Sequence, residues 1–263
     1  MTGEDFDFLA HQNAHPELYF SGEDIDKISP QRISEIGEML TERQLRPIMH
    51  APFYDLNPGA RDSLVKKASM DRLLWAVDVA NRLGVAQIVV HPGYGPWVRG
   101  RRIHHWLARA KEGIQKVIDK AGVQGIRMAF ENVYDESPDD LMVFLEGFSG
   151  DNIGVCLDIG HFHVFSKISL GDWLEVLGPK IYEFHIHDNH GESDEHLAIG
   201  DGTIDYTPWI KWVEAHPSQA YLTLEQPEKT HVIKSINLLR QWFQVKNPSE
   251  QGKQSYEQIT HLY

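Results

Sequence analysis

"IGVCLDIGH", residues 153–161, is an apolar run that ends abruptly at a carboxylate, a glycine and a histidine. A continuous apolar run this short, rich in β-branched residues, fits a strand buried on both faces, as in a parallel sheet. Asp158 then stands where the strand runs out. The same pattern recurs along the chain: "RPIMHAPF" ends at His50, "AQIVVHPG" at His91, "IRMAFENV" at Glu131, "IYEFHIHD" at His185 and "YLTLEQP" at Glu225. From His50 to Glu225 these positions are 41, 40, 27, 27 and 40 residues apart. Such intervals hold the helical crossovers that parallel strands require.

The segments between carry helix signals. Ser29-Pro30, Ser137-Pro138 and Thr207-Pro208 each read as an N-cap followed by proline at the first helical position. Leu73, Leu74, Val77, Ala80 and Leu83 form an apolar stripe stopped by Gly84, and Ile103, Leu107, Ala110, Ile114, Val117 and Ala121 form another ended by Gly122. Trp75, Trp106, Trp173, Trp209, Trp212 and Trp242 fall in helical segments and are expected to cover the outside of a sheet. Alternating strands and helices without a strong dinucleotide fingerprint favour an α/β fold of the TIM (β/α)8 barrel type over an open doubly wound sheet. In a barrel, all strand C-termini converge on one mouth, so polar residues distant in sequence become neighbours.

Composition does not divide the chain, and residues 1–263 are read as one domain. The opening "MTGEDFDFLA" lacks a basic and apolar leader, and no apolar run reaches the length of a membrane span, so a cytoplasmic location is expected. Cys156 is the only cysteine, which rules out an intramolecular disulfide, and it reads as a small core residue. A formal net charge of −13 opposes binding of a polyanion. The local exception is Arg99, Arg101 and Arg102, either a solvated loop before a helix or a clamp for a substrate phosphate.

The stretch "HIHDNHGESDEHLAIGDGTID", residues 185–205, sets four histidines among acidic residues. Alone it reads as well as a solvated loop as it does as a metal site. His185 and His187 share one face of an extended chain by the two-residue period. Loops beyond the strand ends add His161, Asp194 and His196 to the six strand-end residues, giving nine candidate ligands: His50, His91, Glu131, Asp158, His161, His185, Asp194, His196 and Glu225. Imidazole and carboxylate without thiolate suit zinc, manganese, iron or cobalt. His187 and Asp188 fit roles in binding substrate or supporting the ligands. His190 and His163 read as solvent-facing, and His104 and His105 receive no role.

"HAPFYDLNPG", "VVHPGYG", "FENV", "VCLDIGH" and "HIHD…DEHLAIGDGTID" together resemble, in order, the signature blocks of the xylose isomerase-like TIM barrels, which include AP endonuclease family 2. The resemblance covers most of the chain. In the sugar epimerases of that family it implies one divalent ion held by residues matching Glu131, Asp158, His185 and Glu225. The two glutamates then exchange protons with the substrate through an enediolate, and His161 helps to bind the sugar. In endonuclease IV it implies three zinc ions on all nine positions and attack on a phosphodiester. Four carboxylates with one divalent ion leave a site of charge −2, and with three ions +2. The expectation is a metal-dependent isomerase or epimerase of a small sugar or sugar phosphate, with catalytic Glu131 and Glu225 and one to three ions. His161, His187, Asp188, Arg99, Arg101 and Arg102 are its expected substrate contacts. The alternatives are an endonuclease IV-like hydrolase acting on nucleic acid or a small phosphoester and, further off, a non-enzymatic interaction protein. Homo-oligomerisation is left open. Counting "FDFLAHQN" as a strand gives seven where a closed barrel needs eight, so the first βα unit is expected to be missing and the gap covered by a terminal segment, a partner or loops.

Overall fold

A computed structural model describes residues 2–217, 220–243 and 259–260. The stretch expected to form the first strand is instead a helix, α1 (Gly3–Gln12). Thr2 and Asp5 form a reciprocal capping box at its start, and Phe6 and Leu9, three residues apart, share the buried face. Asn13, at φ 53°, ends it in the left-handed conformation. Local capping and helical spacing override the alternation that "FDF" offers. The first strand, β1 (Glu17–Tyr19), follows, then α2 (Gly22–Lys27), α3 (Pro30–Glu42), β2 (Ile48–His50), α4 (Ser63–Leu83), β3 (Gln87–Val90), α5 (Arg101–Val123) and β4 (Arg127–Glu131). The second half continues with α6 (Asp139–Glu146), β5 (Ile153–Asp158), α7 (Ile159–Phe165), α8 (Leu170–Leu177), β6 (Ile181–Ile186), α9 (Thr207–Ala215), β7 (Tyr221–Leu224), α10 (Lys229–Trp242) and β8 (Ile259–Thr260).

Every neighbouring pair is parallel, in the order β1-β2-β3-β4-β5-β6-β7-β8. This is a TIM-type barrel. Seven strands precede residue 225, as counted from sequence, with β1 in place of "FDFLAHQN". The two-residue β8 then adds to β7 in the register Leu222↔Ile259 and Thr223↔Thr260. β8 therefore covers the β7 edge, and the described residues hold eight parallel strands where the sequence count gave seven.

Ser29 caps α3 with Pro30 at its first position, as expected. The other two starts shift by one residue: Pro138 is itself the cap of α6, and Thr207 is the first residue of α9 behind Tyr206. Gly84, at φ 68°, ends α4, whereas α5 runs past Gly122 to Val123. The six tryptophans named above lie in helices, and Trp106, Trp173 and Trp209 are fully buried, Trp209 against Phe184 of β6. Alternation along the strands sends Ile88, Val90, Met128, Phe130, Val155 and Leu157 into that outer core. Val89, Ala129 and Cys156 form a separate small cluster inside the barrel.

Candidate metal centre

Parallel strands in register bring their C-terminal ends to one level. Glu131 pairs with Cys156, Asp158 with His185, and Tyr19 with His50. All nine expected ligands meet there. Glu131 is the hub: its Oε2 lies 3.1 Å from Nε2 of both His50 and His91, and its Oε1 lies 3.1 Å from His161 Nδ1. His185 Nδ1 faces Glu225 Oε1 at 3.1 Å, Glu131 Oε2 at 3.7 Å and Asp158 Oδ2 at 3.8 Å. Asp194 Oδ2 sits between His196 Nε2 at 2.9 Å and His161 Nε2 at 3.3 Å. The nine residues thus form three adjoining groups: one around Glu131, one around His185 and one around Asp194.

Local structure sets these side chains. Asp158 ends β5 and caps α7, accepting from the His161 backbone N–H at 2.5 Å. That cap turns the chain so that His161, one helical turn on, comes back over the mouth. The Asn132 side-chain amide exchanges hydrogen bonds with the Asp158 backbone, at 3.0 and 2.8 Å, and ties the end of β5 to the residue after β4. The antiparallel bridge Asp188↔Leu197 folds residues 189–196 into a loop that delivers Asp194 and His196. Glycine is needed in it at Gly191, and just beyond it at Gly200, with φ of 83° and 85°.

Burial alone would raise carboxyl and lower imidazole affinities for protons; at His91 burial prevails and holds the imidazole below its usual value, while elsewhere in the cluster pairing outweighs it. Against burial, His91, His185 and the hydrogen bonds of His161 and His50 hold Glu131 well below the usual carboxylate range. Glu225 is lowered by His185 in the same way, and Asp194 by His161 and His196. His161 and His185 are raised well above the usual imidazole value by neighbouring groups that include Asp158 and Glu225. Without metal, Glu131, Asp194 and Glu225 are held ionised by the imidazoles around them. The centre's donors suit a divalent ion: His50, His91 and Glu131, or His50, His185 and Glu225, offer three atoms within 4.8 Å of one another.

A cavity of about 390 Å³ opens onto the centre, lined by His91, Glu131, His161, Asp194, His196 and Glu225 together with Phe53, Tyr54, Glu195 and Pro227. Phe53 stacks on His91 at 4.3 Å between ring centres. Among the described residues, no lysine or arginine lines it. Arg99, expected at the mouth, instead pairs with Glu136 and donates to the Tyr134 carbonyl at 2.9 Å, and Arg102 donates to the Trp97 carbonyl. Exposed Arg101 starts α5 beside them. Arg99 and Arg102 thus have acidic or carbonyl acceptors, and none of the three arginines is among the residues lining the cavity. Asp188 is also redirected: its buried carboxylate accepts from the backbone N–H groups of Asn189, Gly200 and Ile204, so it braces the loop rather than a substrate. His187 is fully buried behind the ligands, with Nε2 3.2 Å from Asp158 Oδ2 and its ring stacked on His196 at 4.1 Å. His190 pairs with Glu195, and His163 lies 3.1 Å from the Thr203 hydroxyl.

Sequence reasoning missed Glu17, Glu183 and Gly160. Glu183 was within reach of it, two residues before His185 on the same strand face. Gly160 had no local signal, because what demands it is His187, whose ring crosses the place where a Cβ would stand.

The profile of the xylose isomerase-like TIM barrel matches residues 8–242. The uncharacterized protein MJ1311 of Methanocaldococcus jannaschii is 26% identical over 238 residues, 88% of this chain and 81% of its own. A probable endonuclease 4 of Mycoplasma pneumoniae is 24% identical over 223 residues, covering 74% of this chain and 75% of that one. Among solved structures, a D-tagatose 3-epimerase-like protein superposes with a TM-score of 0.76 at 25% identity, covering 88% of this chain and 89% of its own. The relatives thus span sugar-epimerase-like and endonuclease 4-like proteins, and with the barrel and its strand-end residues in place, the chain belongs to the xylose isomerase-like TIM barrel family.

Proposed function

We propose that the protein is a divalent-metal-dependent epimerase or isomerase of a small sugar, with Glu131 and Glu225 as the acid–base pair and the chain acting as one cytoplasmic domain. The observation that carries this reading is the placement of two buried glutamates from β4 and the end of β7. They line one cavity, and His185 Nδ1 lies between them, 3.7 and 3.1 Å from their oxygens. Glu131, Asp158, His185 and Glu225 would hold the ion. Bound there, it would polarise the carbonyl and hydroxyl oxygens of the sugar and acidify the C–H between them.

One glutamate, ionised, takes that carbon-bound proton and leaves an enediolate. The other returns a solvent-derived proton to the opposite face, which inverts the centre; return to the neighbouring carbon gives isomerisation. His161, on the cavity wall, is placed to bind a sugar hydroxyl. Phe53 and Tyr54 supply an apolar wall. With no lysine or arginine among the described lining residues, an unphosphorylated sugar fits this lining better, and a phosphate would have to rely on the metal. The test is deuterium incorporation from heavy water into a metal-supplemented panel of ketoses and sugar phosphates. Wild-type protein should exchange a carbon-bound proton, and Glu131→Gln and Glu225→Gln should each lose exchange while staying folded. Full exchange in both variants would refute the two-base mechanism.

A second reading, three-ion hydrolysis of a phosphodiester, is favoured by one observation: the donors divide into three groups, including His161, Asp194 and His196, which a single ion at His185 would not use. Metal content per chain separates the two, near one ion for the epimerase and near three for the hydrolase. Cleavage of abasic DNA that disappears in His91→Ala and Asp194→Ala would establish the second reading over the first.

A further inference from the structure

Beneath the ligands, the barrel interior is polar where apolar layers are usual. Glu17 from β1, Gln87 from β3, Glu183 from β6 and Thr223 from β7 are all buried there. Glu183 is held from two sides: Gln87 Nε2 donates to its Oε2 at 2.6 Å, and the Thr223 hydroxyl donates to its Oε1. Directly above, His185 divides its two nitrogens. Nδ1 faces the upper carboxylates, as described, while Nε2 points down to Glu17 Oε2 at 3.4 Å and Glu183 Oε1 at 3.6 Å.

At two other histidines the nitrogen opposite the carboxylate cluster faces a neutral partner. His50 Nδ1 lies 2.8 Å from the Ala51 carbonyl, and His196 Nδ1 lies 2.6 Å from the Glu225 carbonyl. Only at His185, among these three, does the outer nitrogen face carboxylates. A carboxylate behind an imidazole fixes its tautomer and makes the ligating nitrogen a stronger donor.

We infer that Glu183, braced by Gln87 and Thr223, is a positioning residue that holds His185 with Nδ1 toward the ion, making the His185 position the tightest metal site in the centre and the first to fill. The inference rests on reading His185 as a ligand, and it is independent of which reaction the centre performs. The carboxylate acts from below the cavity floor, so it tunes the ion without touching substrate.

The test is competition of Co²⁺ and Zn²⁺ with a chromophoric chelator, read as affinity and as the visible Co²⁺ spectrum, with folding followed by circular dichroism and urea midpoint. Glu183→Gln keeps the shape and removes the charge. It should weaken the first, tightest ion by about 10- to 100-fold. Thr223→Val, which removes one brace, should weaken it in the same direction by less, and it keeps the inference testable if Glu183→Gln does not fold. A first-ion affinity within twofold of wild type in a folded Glu183→Gln protein overturns the positioning role while leaving the epimerase reading intact. Absence of tight metal binding by the wild-type protein overturns both.

Discussion

Replacing Gly160 by alanine should unseat His187 and, through it, Asp158. Gly160 is the second residue of α7, and the Cβ of an alanine there would fall 1.9 Å from His187 Cε1 and 2.4 Å from its Nε2. Ordinary contact begins near 3.4 Å, so the ring must retreat by about 1.5 Å. It has nowhere to go: it is fully buried and stacked on the His196 ring at 4.1 Å and 9°. A shift of that size breaks the 3.2 Å contact between His187 Nε2 and Asp158 Oδ2. Overpacking costs about 1–3 kcal/mol, and a lost buried hydrogen bond to a charged group about 1.5–3 kcal/mol. Together they lower the melting temperature by on the order of 10 °C for a domain of this size. Metal affinity should fall as well, because Asp158 loses the partner that orients it. Gly171→Ala is the control, since its nearest neighbour is 3.6 Å away in helix α8 and the change should be neutral or slightly stabilising. Thermal and urea unfolding with and without Zn²⁺ read both effects. If Gly160→Ala melts within 2 °C of wild type, about what the control allows, and binds metal normally, the steric reasoning is wrong.

The pH dependence of the metal-free protein follows from His196, which burial would lower but which the Asp194 hydrogen bond and the charges of Glu225 and Asp194 push up to about 9. A raised histidine stabilises fully below its unfolded value near 6.5, and that contribution disappears as pH rises to about 9, so melting with chelator present should fall across this window. Metal needs the neutral imidazole, so Zn²⁺ affinity should rise over the same range and binding should release protons, measurable by calorimetry in two buffers. Arg99→Ala should leave KM for any phosphorylated substrate within about twofold and cost about 1 kcal/mol or less, the worth of a partly exposed ion pair; a tenfold rise in KM would restore the phosphate clamp. Asp188→Asn should destabilise by about 2 kcal/mol, because an amide cannot accept all three backbone N–H bonds of the buried turn, and unchanged urea unfolding would contradict that assignment.

The sequence by itself determined β2 to β7 and the residues at their ends. Strands buried on both faces are written as unbroken apolar runs, so a histidine or carboxylate at the end of each stands out, and a barrel sends every such end to one mouth. That is why His50, His91, Glu131, Asp158, His185 and Glu225 could be gathered from positions up to 175 residues apart before any coordinates, and why the family could be recognised. Local signals fell short where two local structures competed, as in "FDFLAHQN", whose capping box and buried Phe6 and Leu9 make it a helix. Only the tertiary structure decided the rest, because each remaining feature depends on a partner far along the chain. Ile259–Thr260 becomes a strand against Leu222 and Thr223. Arg99 is taken by Glu136, and Gly160 is required by His187. His185 turns one nitrogen toward Glu225 and the other toward Glu183 because strands β1, β3, β6 and β7 close around it, an arrangement that no spacing within a single strand encodes.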